Sequence, residues 1–277
     1  MMAAEADYYD RQRRACYWDQ AVVEQQVGFV FGVGGVGCTV AMDLVRLGFR
    51  KVFLVDRDVV DAHNLNRQML FSKDDVGRSK VEAAKESLQR HNIHTEIVAL
   101  HMDVLKEWPK IVECAQECTV LFNGIDVGDY WDFAVASLGL RLGIPVVVGG
   151  TDPISGHTLT VDFTGPAGKP CCNCLQPCVD KEIFEQLLPA KILDLPNLEF
   201  LPHDPQYQRG GSMIYTCSVG CHTMVGLAMQ HLLDYPTKLE SGPLPNRVIV
   251  DMLNWEITKW CVEPDPECPL CSKRESL

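Results

Sequence analysis

The sequence is short of positive charge. It carries 25 Lys and Arg residues against 37 Asp and Glu, which gives a formal net charge of −12. A nucleic-acid binder needs Lys and Arg to displace counterions from phosphates. The composition therefore argues against nucleic acid as a partner, and it favours a small molecule or a protein with a basic face.

Long apolar runs are also missing. No stretch of about 18 apolar residues occurs, and residues 1–14 carry acids and arginines with no apolar stretch behind them. We therefore expect neither a membrane span nor a secretory leader, and we expect a cytoplasmic protein. With 277 residues and 47% hydrophobic content, the chain is long enough to bury a full core.

Strand and helix patterns alternate through the first 150 residues. Helical periodicity over 38–49, 81–92 and 131–142 alternates with apolar strand patterns, which cover 27–33, 51–56, 94–103, 118–126 and 144–150. This alternation predicts an α/β fold with a doubly wound, mostly parallel sheet and a Rossmann-like nucleotide-binding half.

The pattern changes after residue 150. A β-rich segment (157–165) precedes a group of cysteines, and a proline-rich stretch (189–205) resembles a surface excursion. A helix at about 219–233, a strand at 247–253 and a polar tail follow. We predict a single domain over 1–277, with a helical N-terminal arm (1–26), a nucleotide-binding half (27–150) and a second half (151–277).

A glycine-rich turn follows the first predicted strand. Gly32 to Gly37 read GVGGVG, which fits GxGxxG between a strand and a helix, where backbone approaches phosphate. Asp56 ends the next strand about 20 residues further on, the position at which an acid accepts hydrogen bonds from a ribose. The two features favour a nucleotide site over tight glycine packing alone, but they do not separate NAD from ATP.

The segment after Asp56 distinguishes ATP from NAD. It contains four polar or cationic residues near the end of the strand: Asn66, Arg67, Gln68 and Lys80. A dehydrogenase has little use for these groups, whereas an enzyme that transfers an adenylyl group must neutralise charge on the α-phosphate and the leaving pyrophosphate. Solvated surface charge is the alternative interpretation.

Three motifs together carry a family resemblance. GVGGVG, VDRDVVDAHNLNRQ and GRSK resemble the adenylation domains of ThiF, MoeB and the ubiquitin-activating enzymes. The resemblance implies an enzyme that binds ATP and Mg²⁺. In that family the C-terminal glycine carboxylate of a ubiquitin-like or sulfur-carrier protein attacks the α-phosphorus and forms an acyl adenylate.

The resemblance also implies a role for each matching residue. Gly34 and Gly35 approach phosphate, Asp56 binds the ribose, Asp58 joins the metal or water shell, Asp103 lies near the adenine, Asp126 holds magnesium, and Asn66, Arg67, Gln68 and Lys80 bind the triphosphate. The family usually has an Asn after the magnesium aspartate, where this chain has Val127.

The N-terminal arm contains a further match. YYDRQ, residues 8–12, resembles the family's RYNRQ, whose arginine reaches the γ-phosphate bound by a partner subunit. Arg11 is the matching residue, and the match implies a homodimer. A solvated arginine in a mobile terminus is the alternative, because Arg13 and Arg14 lie beside it.

Four of the thirteen cysteines form two CxxC pairs, Cys171 with Cys174 and Cys268 with Cys271. Two such pairs complete a tetrahedral Cys₄ zinc site with no open position, which makes the predicted zinc structural. A redox pair is the alternative. Similar paired cysteines occur in ThiF, MoeB and the activating enzyme of the ubiquitin-fold modifier, and ISGHTLTVDFTG resembles the last of these most closely.

Many relatives pass the acyl group to a cysteine in the loop that follows the zinc-binding segment. Cys217 is the candidate nucleophile, in a Gly-rich loop (209–220) ahead of a helix. Cys178 and Cys221 lie in the same region, and an ungapped comparison places Met213 on the cysteine position. Plain packing of Cys217, without a thioester, is the alternative.

The resemblance covers residues 8 to 271. The expected function is ATP-dependent adenylation of a ubiquitin-like or sulfur-carrier protein, with a thioester step and a downstream conjugating enzyme as further elements. In this view residues 151–277 form a β-rich, zinc-stapled half that binds the carrier. A catalytically silent scaffold is one alternative, and an NAD-dependent oxidoreductase is a more distant one.

Overall fold

The computed structural model describes residues 8–91, 94–125, 128–151, 155–165, 169–175, 181–202, 211–235, 243–268 and 270. One eight-stranded sheet forms its centre. Its strands are β1 (Val27–Phe31), β2 (Lys51–Asp56), β3 (Glu96–His101), β4 (Val120–Asn123), β5 (Val146–Thr151), β6 (Thr158–Thr164), β7 (Arg247–Asp251) and β8 (Glu256–Trp260).

The strands lie in the order β3-β2-β1-β4-β5-β6-β7-β8. Neighbours from β3 to β5 run parallel, whereas β6, β7 and β8 extend the same sheet as antiparallel neighbours. The chain therefore reverses its order next to β1, between β2 and β4. A crevice opens at such a switch point, beyond the carboxyl ends of the strands, and it is where open α/β sheets bind ligands.

Helices cover both faces of the sheet. They are α1 (Asp10–Arg13), α2 (Gln20–Val23), α3 (Gly35–Leu47), α4 (Lys80–Gln89), α5 (Trp108–Ala115), α6 (Asp129–Leu142), α7 (Cys172–Leu175), α8 (Lys181–Gln186) and α9 (Ile214–Leu232). Short 3₁₀ helices occur at Ala62–Asn64, Lys73–Asp75 and Ile192–Asp194.

Two apolar cores follow from the alternation of side chains along the strands. In β1, Val30 joins the core under α3, α4 and α9, whereas Phe29 and Phe31 join the core under α5 and α6. Successive side chains of a strand point to opposite faces, so a fully apolar β1 is required when helices cover both sides. The predicted doubly wound α/β fold is confirmed.

Residues 189–202, the described part of the proline-rich stretch, do not form a surface excursion, and that prediction was wrong. Ile192 and Leu198 are fully buried in the core under α5 and α6. The indole nitrogen of Trp108 donates to the Ile192 carbonyl at 2.8 Å, and the Leu198 amide donates to the Leu105 carbonyl at 2.6 Å. Regularly spaced leucines, rather than the prolines, decide where this segment packs.

Two elements near the C-terminus also differ from expectation. Helix α9 begins at Ile214, five residues before its predicted start, with Met213 as an extended N-cap residue. The predicted polar tail contains β8, an edge strand whose five residues are all exposed. An edge strand with polar and charged side chains shows little burial pattern, which is why sequence periodicity missed it.

Within the described ranges, no helix has the length and apolar character needed to cross a bilayer.

Candidate functional site

The glycine-rich turn connects β1 to α3 and has little space for side chains. Gly32 has a φ of +80°, in the left-handed region that favours glycine. A Cβ on Gly37 would lie 1.8 Å from the Gly32 carbonyl oxygen, so a side chain there is impossible without moving backbone. The turn therefore presents bare backbone and the N-terminus of α3, which begins at Gly35, to the crevice.

Asp56 at the end of β2 fastens this turn. One carboxylate oxygen accepts the Val33 amide at 2.8 Å, and the other accepts the Asp58 amide at 2.8 Å. A carboxylate offers about four lone-pair positions, so about two of them stay open to a ligand. The residue thus holds the turn in place and also faces the crevice, where its side chain is 10% exposed.

Lys80 begins α4 and reaches into the same crevice. Its side chain is 6% exposed, and its ammonium donates to Asp58 at 3.0 Å and lies 3.9 Å from Asp56. A buried ammonium is tolerated because these two carboxylates compensate for its lost hydration. The predicted residues Asp56, Asp58 and Lys80 are therefore in contact with one another.

Arg67 and Gln68 line the crevice, whereas Asn66 does not. The Asn66 side chain instead accepts from Arg67 Nη1 at 2.9 Å, so it orients the guanidinium from outside. Gln68 is 3% exposed, and its Oε1 has no hydrogen-bond partner among the described residues. An unpaired buried amide oxygen at a pocket wall is the kind of group that a ligand satisfies.

Asp103 follows β3 and pairs with Arg57, a residue for which the sequence motifs predicted no role. The guanidinium donates to Asp103 at 2.8 Å, and the other carboxylate oxygen accepts the Leu105 amide at 3.0 Å. The Arg57 pKa is raised by this hydrogen bond. Met102, Val104 and Leu105 add an apolar wall at this end of the crevice.

Asn123 at the end of β4 is a second residue that the motifs had missed. It is 1% exposed, its Oδ1 accepts the Trp131 indole N–H at 2.7 Å, and its Nδ2 donates to Asp132. Both Asn123 and Asp132 line the crevice beside Ile125. The predicted magnesium residue Asp126 and its neighbour Val127 lie outside the described residues.

The crevice continues along β5 and β6 to give a pocket of about 350 Å³. This second section is lined by Val148, Gly149, Gly150, Thr151, Thr160, Asp162, Ser212 and Cys217. Thr160 and Asp162 are alternate residues of β6 and therefore face the same side of the sheet. The sequence motifs did not indicate that these residues border the nucleotide-like section.

Cys217 lies in the first turn of α9 and not in a loop ahead of it, so that part of the prediction was wrong. Its Sγ is 2.9 Å from Ser212 Oγ and 3.1 Å from the position of a Cβ on Gly35. Its amide donates to the Met213 carbonyl at 2.9 Å. The Cys217 thiol therefore already lies beside the glycine-rich turn, and no backbone rearrangement is needed to bring it there. Cys221 is fully buried one helical turn further along.

Arg11 lies far from this pocket within its own chain. Its neighbour Gln12 donates to the carbonyl of Arg46, in the last turn of α3, at 3.2 Å. Tyr9 packs against Gly48, which ends that helix. A helix of 13 residues is about 20 Å long, so Arg11 and the glycine-rich turn lie at opposite ends of α3.

The cysteines of the central segment and the C-terminal part come together. Cys171 Sγ is 3.7 Å from Cys174 Sγ and 3.5 Å from Cys268 Sγ, and the three sulfurs lie within 4.8 Å of one another. Tetrahedral zinc–thiolate bonds of about 2.3 Å place sulfurs about 3.8 Å apart, so this donor set fits zinc. Cys271, the predicted fourth ligand, lies outside the described residues, as does Cys178.

Fold and pocket together define an α/β domain of the nucleotide-binding class, with a second polar section beside the nucleotide-like one. The chain belongs to the ThiF family, whose model matches residues 9–270. The resemblance inferred from the three motifs is thereby confirmed at the level of the family.

Curated relatives match about half of the chain. SUMO-activating enzyme subunit 2 of Dictyostelium discoideum is 33% identical over 153 residues, which is 55% of this chain and 22% of that protein. The sulfur carrier protein ThiS adenylyltransferase of Bacillus subtilis (strain 168) is 31% identical over 160 residues, 56% of this chain and 45% of that protein. The chain thus spans less than half the length of these relatives.

Solved structures support the fold over nearly the whole chain. A crystal structure of E. coli MccB with ATP matches with a TM-score of 0.74 at 18% identity, over 98% of this chain and 75% of that one. A structure of PaaA matches with a TM-score of 0.66 at 17% identity, over 95% and 76%. At these identities the likeness concerns the fold alone.

Proposed function

We propose that the chain catalyses ATP-dependent adenylation of the C-terminal glycine carboxylate of a ubiquitin-like modifier or sulfur-carrier protein. One observation carries the proposal: a single pocket joins a bare-backbone anion turn, flanked by Arg67 and Lys80, to a second section between β5 and β6. The first section fits a nucleotide triphosphate, and the second fits an extended peptide tail. The B. subtilis relative is an adenylyltransferase of a sulfur carrier protein and the D. discoideum relative is a subunit of a SUMO-activating enzyme, which agrees with this assignment.

The reaction follows from the placement of charge. A carboxylate oxygen of the carrier attacks the α-phosphorus, the bond to the bridging oxygen breaks, and pyrophosphate leaves with the electron pair. Arg67, Lys80 and the turn amides stabilise the negative charge that grows on the phosphates. Asp126 and Asp58 would hold Mg²⁺, which supplies further compensation of phosphate charge. Gln68 Oε1 is available as an acceptor for the nucleotide.

The test is carrier-dependent ATP–pyrophosphate exchange measured against a panel of carriers that end in Gly-Gly. Wild-type protein should exchange with at least one of them. Lys80→Met should lower the rate by about 100-fold or more, because it removes one positive charge from the reacting phosphates, and Asp126→Ala should do the same. Lys110→Met, which alters an exposed ion pair on α5, serves as the control. Full exchange in Lys80→Met would refute the proposed role.

We further propose that the enzyme is a homodimer in which Arg11 binds the triphosphate held by the other copy. The geometry supports this arrangement, because Arg11 lies about 20 Å from its own glycine-rich turn along α3. An arginine so placed has a catalytic use only if a second chain brings it to a pocket.

Mixing two inactive variants tests the arrangement. An equimolar mixture of Arg11→Ala and Lys80→Met should recover about a quarter of wild-type exchange, because half of the dimers are then mixed and each has one intact site. Subunit exchange is verified by mass spectrometry with one variant isotope-labelled. A mixture that exchanges subunits and stays inactive would contradict the arrangement.

A structural zinc ion held by Cys171, Cys174, Cys268 and Cys271 is the third element of the proposal. The support is the fit of the three described sulfurs to tetrahedral spacing. Cys171 and Cys268 are fully buried and lie 97 residues apart, so a bound ion would join the C-terminal part to the central segment.

Metal analysis should find one zinc per chain in protein purified without chelator. Cys268→Ser should lose the metal and unfold at a temperature several degrees lower, since metal-binding free energy at such a site is largely folding free energy. Cys261→Ser, which changes an exposed cysteine outside the cluster, should retain both properties. Wild-type protein with no zinc and an unchanged Cys268→Ser would overturn the assignment.

We also propose that Cys217 takes the acyl group from the adenylate as a thioester. The thiolate attacks the acyl carbon, the bond to the AMP oxygen breaks, and AMP leaves. The position of its sulfur beside Gly35 supports this, since no rearrangement is needed to bring it to the pocket. Transfer to a conjugating enzyme would then consume the thioester.

Cys217→Ala should retain ATP–pyrophosphate exchange and lose the reducing-agent-sensitive conjugate between enzyme and carrier on a non-reducing gel. Cys221→Ala is the matched control, because Cys221 lies four residues further along α9 and is buried away from the pocket. A conjugate that persists in Cys217→Ala would show that another thiol accepts the acyl group. A wild-type enzyme that never forms one would be an adenylase alone.

A further inference from the structure

Arg247 and Asp162 form a forked ion pair on the sheet next to the pocket. They are directly opposed residues of β7 and β6, and Arg247 Nε and Nη2 donate to the two carboxylate oxygens of Asp162 at 2.6 Å each. Their side chains are 23% and 17% exposed. Two parallel N–H to oxygen bonds in a partly buried place fix the carboxylate in one orientation. We call this pair the Asp162–Arg247 clasp.

The third nitrogen of the guanidinium connects the clasp to the cysteine cluster. Arg247 Nη1 donates to the carbonyl of Leu175 at 3.0 Å. Leu175 ends α7, the short helix that carries Cys174, and its own amide donates to the Cys171 carbonyl at 3.2 Å. One guanidinium therefore bonds both to the wall of the pocket and to the helix that holds the clustered sulfurs.

Asp162 lies in the second section of the pocket and not beside the glycine-rich turn. Strand register places it in one row with Val148 on β5 and Asn123 on β4. Neighbouring strands lie about 4.8 Å apart, so Asp162 is about 10 Å from Asn123 and about 14 Å from Phe31, after which the turn begins. An ion pair at this place borders the section proposed for the carrier's C-terminal carboxylate, which accepts the adenylyl group, rather than the section proposed for the nucleotide.

A bare carboxylate on this wall would oppose the proposed reaction. The acceptor is itself a carboxylate, and repulsion between like charges is strong where solvent is partly excluded. Truncation of one partner of a hydrogen-bonded, partly buried charge pair leaves the other charge uncompensated. Because Arg is always protonated, Arg247 cancels the charge of Asp162 at any pH at which the enzyme works.

We propose that Arg247 is a positioning residue for the acceptor section: it neutralises and orients Asp162, and it joins that wall to the helix of the cysteine cluster. The proposed neutralisation of Asp162 rests on the proposed function, because it assumes that a carboxylate accepts the adenylyl group. The proposed link to the cysteine cluster rests on hydrogen bonds alone. Loss of the bond from Arg247 to the Leu175 carbonyl frees the end of α7, whatever substrate the enzyme uses.

The first measurement separates the Michaelis constants for carrier and for ATP in the exchange reaction. Arg247→Met should raise the KM for carrier about tenfold or more and leave the KM for ATP within about twofold. Adding Asp162→Asn to Arg247→Met should recover most of that loss, because the carboxylate that repels the acceptor is gone. Arg90→Met, which breaks an exposed Arg–Glu pair at the C-terminal end of α4, is the control.

The second measurement is alkylation of Cys171, Cys174 and Cys268, followed residue by residue with mass spectrometry on the protein as purified. Arg247→Met and the double variant should both label several-fold faster than wild type, because both lack the bond to Leu175. Asp162→Asn alone and Arg90→Met should label at the wild-type rate. Arg247→Lys keeps the positive charge but lacks the forked guanidinium. This variant should bind carrier with a nearly normal KM, while its clustered cysteines should still be alkylated faster than in wild type.

The outcomes distinguish the proposal from a general packing role. An Arg247→Met enzyme with equal losses for carrier and ATP, or with no recovery on adding Asp162→Asn, would overturn the charge role. Unchanged labelling in Arg247→Met would overturn the link to the cysteine cluster. If wild-type protein exchanges with no carrier, the proposed function fails, and labelling of folded Arg247→Met or Arg247→Lys still decides that link.

Discussion

The carboxylate of Asp56 ties together three parts of the chain that would otherwise be independent. Through one oxygen it holds the turn after β1, and through the other it holds the turn after β2. Lys80, at the start of α4, lies 3.9 Å away and is almost fully buried. The glycine-rich turn, the Asp58 turn and the ammonium group take up their positions around this one side chain.

The switch in the sheet determines what the rest of the pocket can be. Parallel strands β1 to β5 bring their carboxyl ends to one edge, where backbone turns and helix N-termini favour anions. Beyond β5 the strands turn antiparallel, and the polar face of β6 continues the same crevice with Thr160 and Asp162. Two different surfaces therefore meet along one sheet: a turn of bare backbone that favours anions, and a polar strand face.

Local features of the fold were predictable and distant ones were not. The turn from Gly32 to Gly37 and the acid at Asp56 are read within one strand–turn–helix unit, and apolar runs locate β1 to β5 within a few residues. The segment 189–205 was misplaced because its four prolines were weighted over its equally frequent leucines, while Leu198 and Ile192 decide its burial. The start of α9 was missed because no capping side chain marks Met213.

The same limit applies to the site. Arg67, Gln68 and Lys80 lie in one segment and share a motif, so sequence alone grouped them. Arg57 with Asp103 and Asp162 with Arg247 are 46 and 85 residues apart, and only the sheet register brings each pair together. Nothing in the local sequence of either partner marks such a pair.

The aspartates around the pocket have a consequence for the form in which a nucleotide enters. Among the described residues that line it, five aspartates face two arginines and one lysine. Arg247, behind the lining, offsets Asp162, so the wall carries about one net negative charge before any ligand arrives. For the proposed adenylation, such a wall favours a triphosphate whose charge is already balanced by a divalent cation over a free triphosphate. That preference would come from the wall as a whole rather than from any single ligand to the ion.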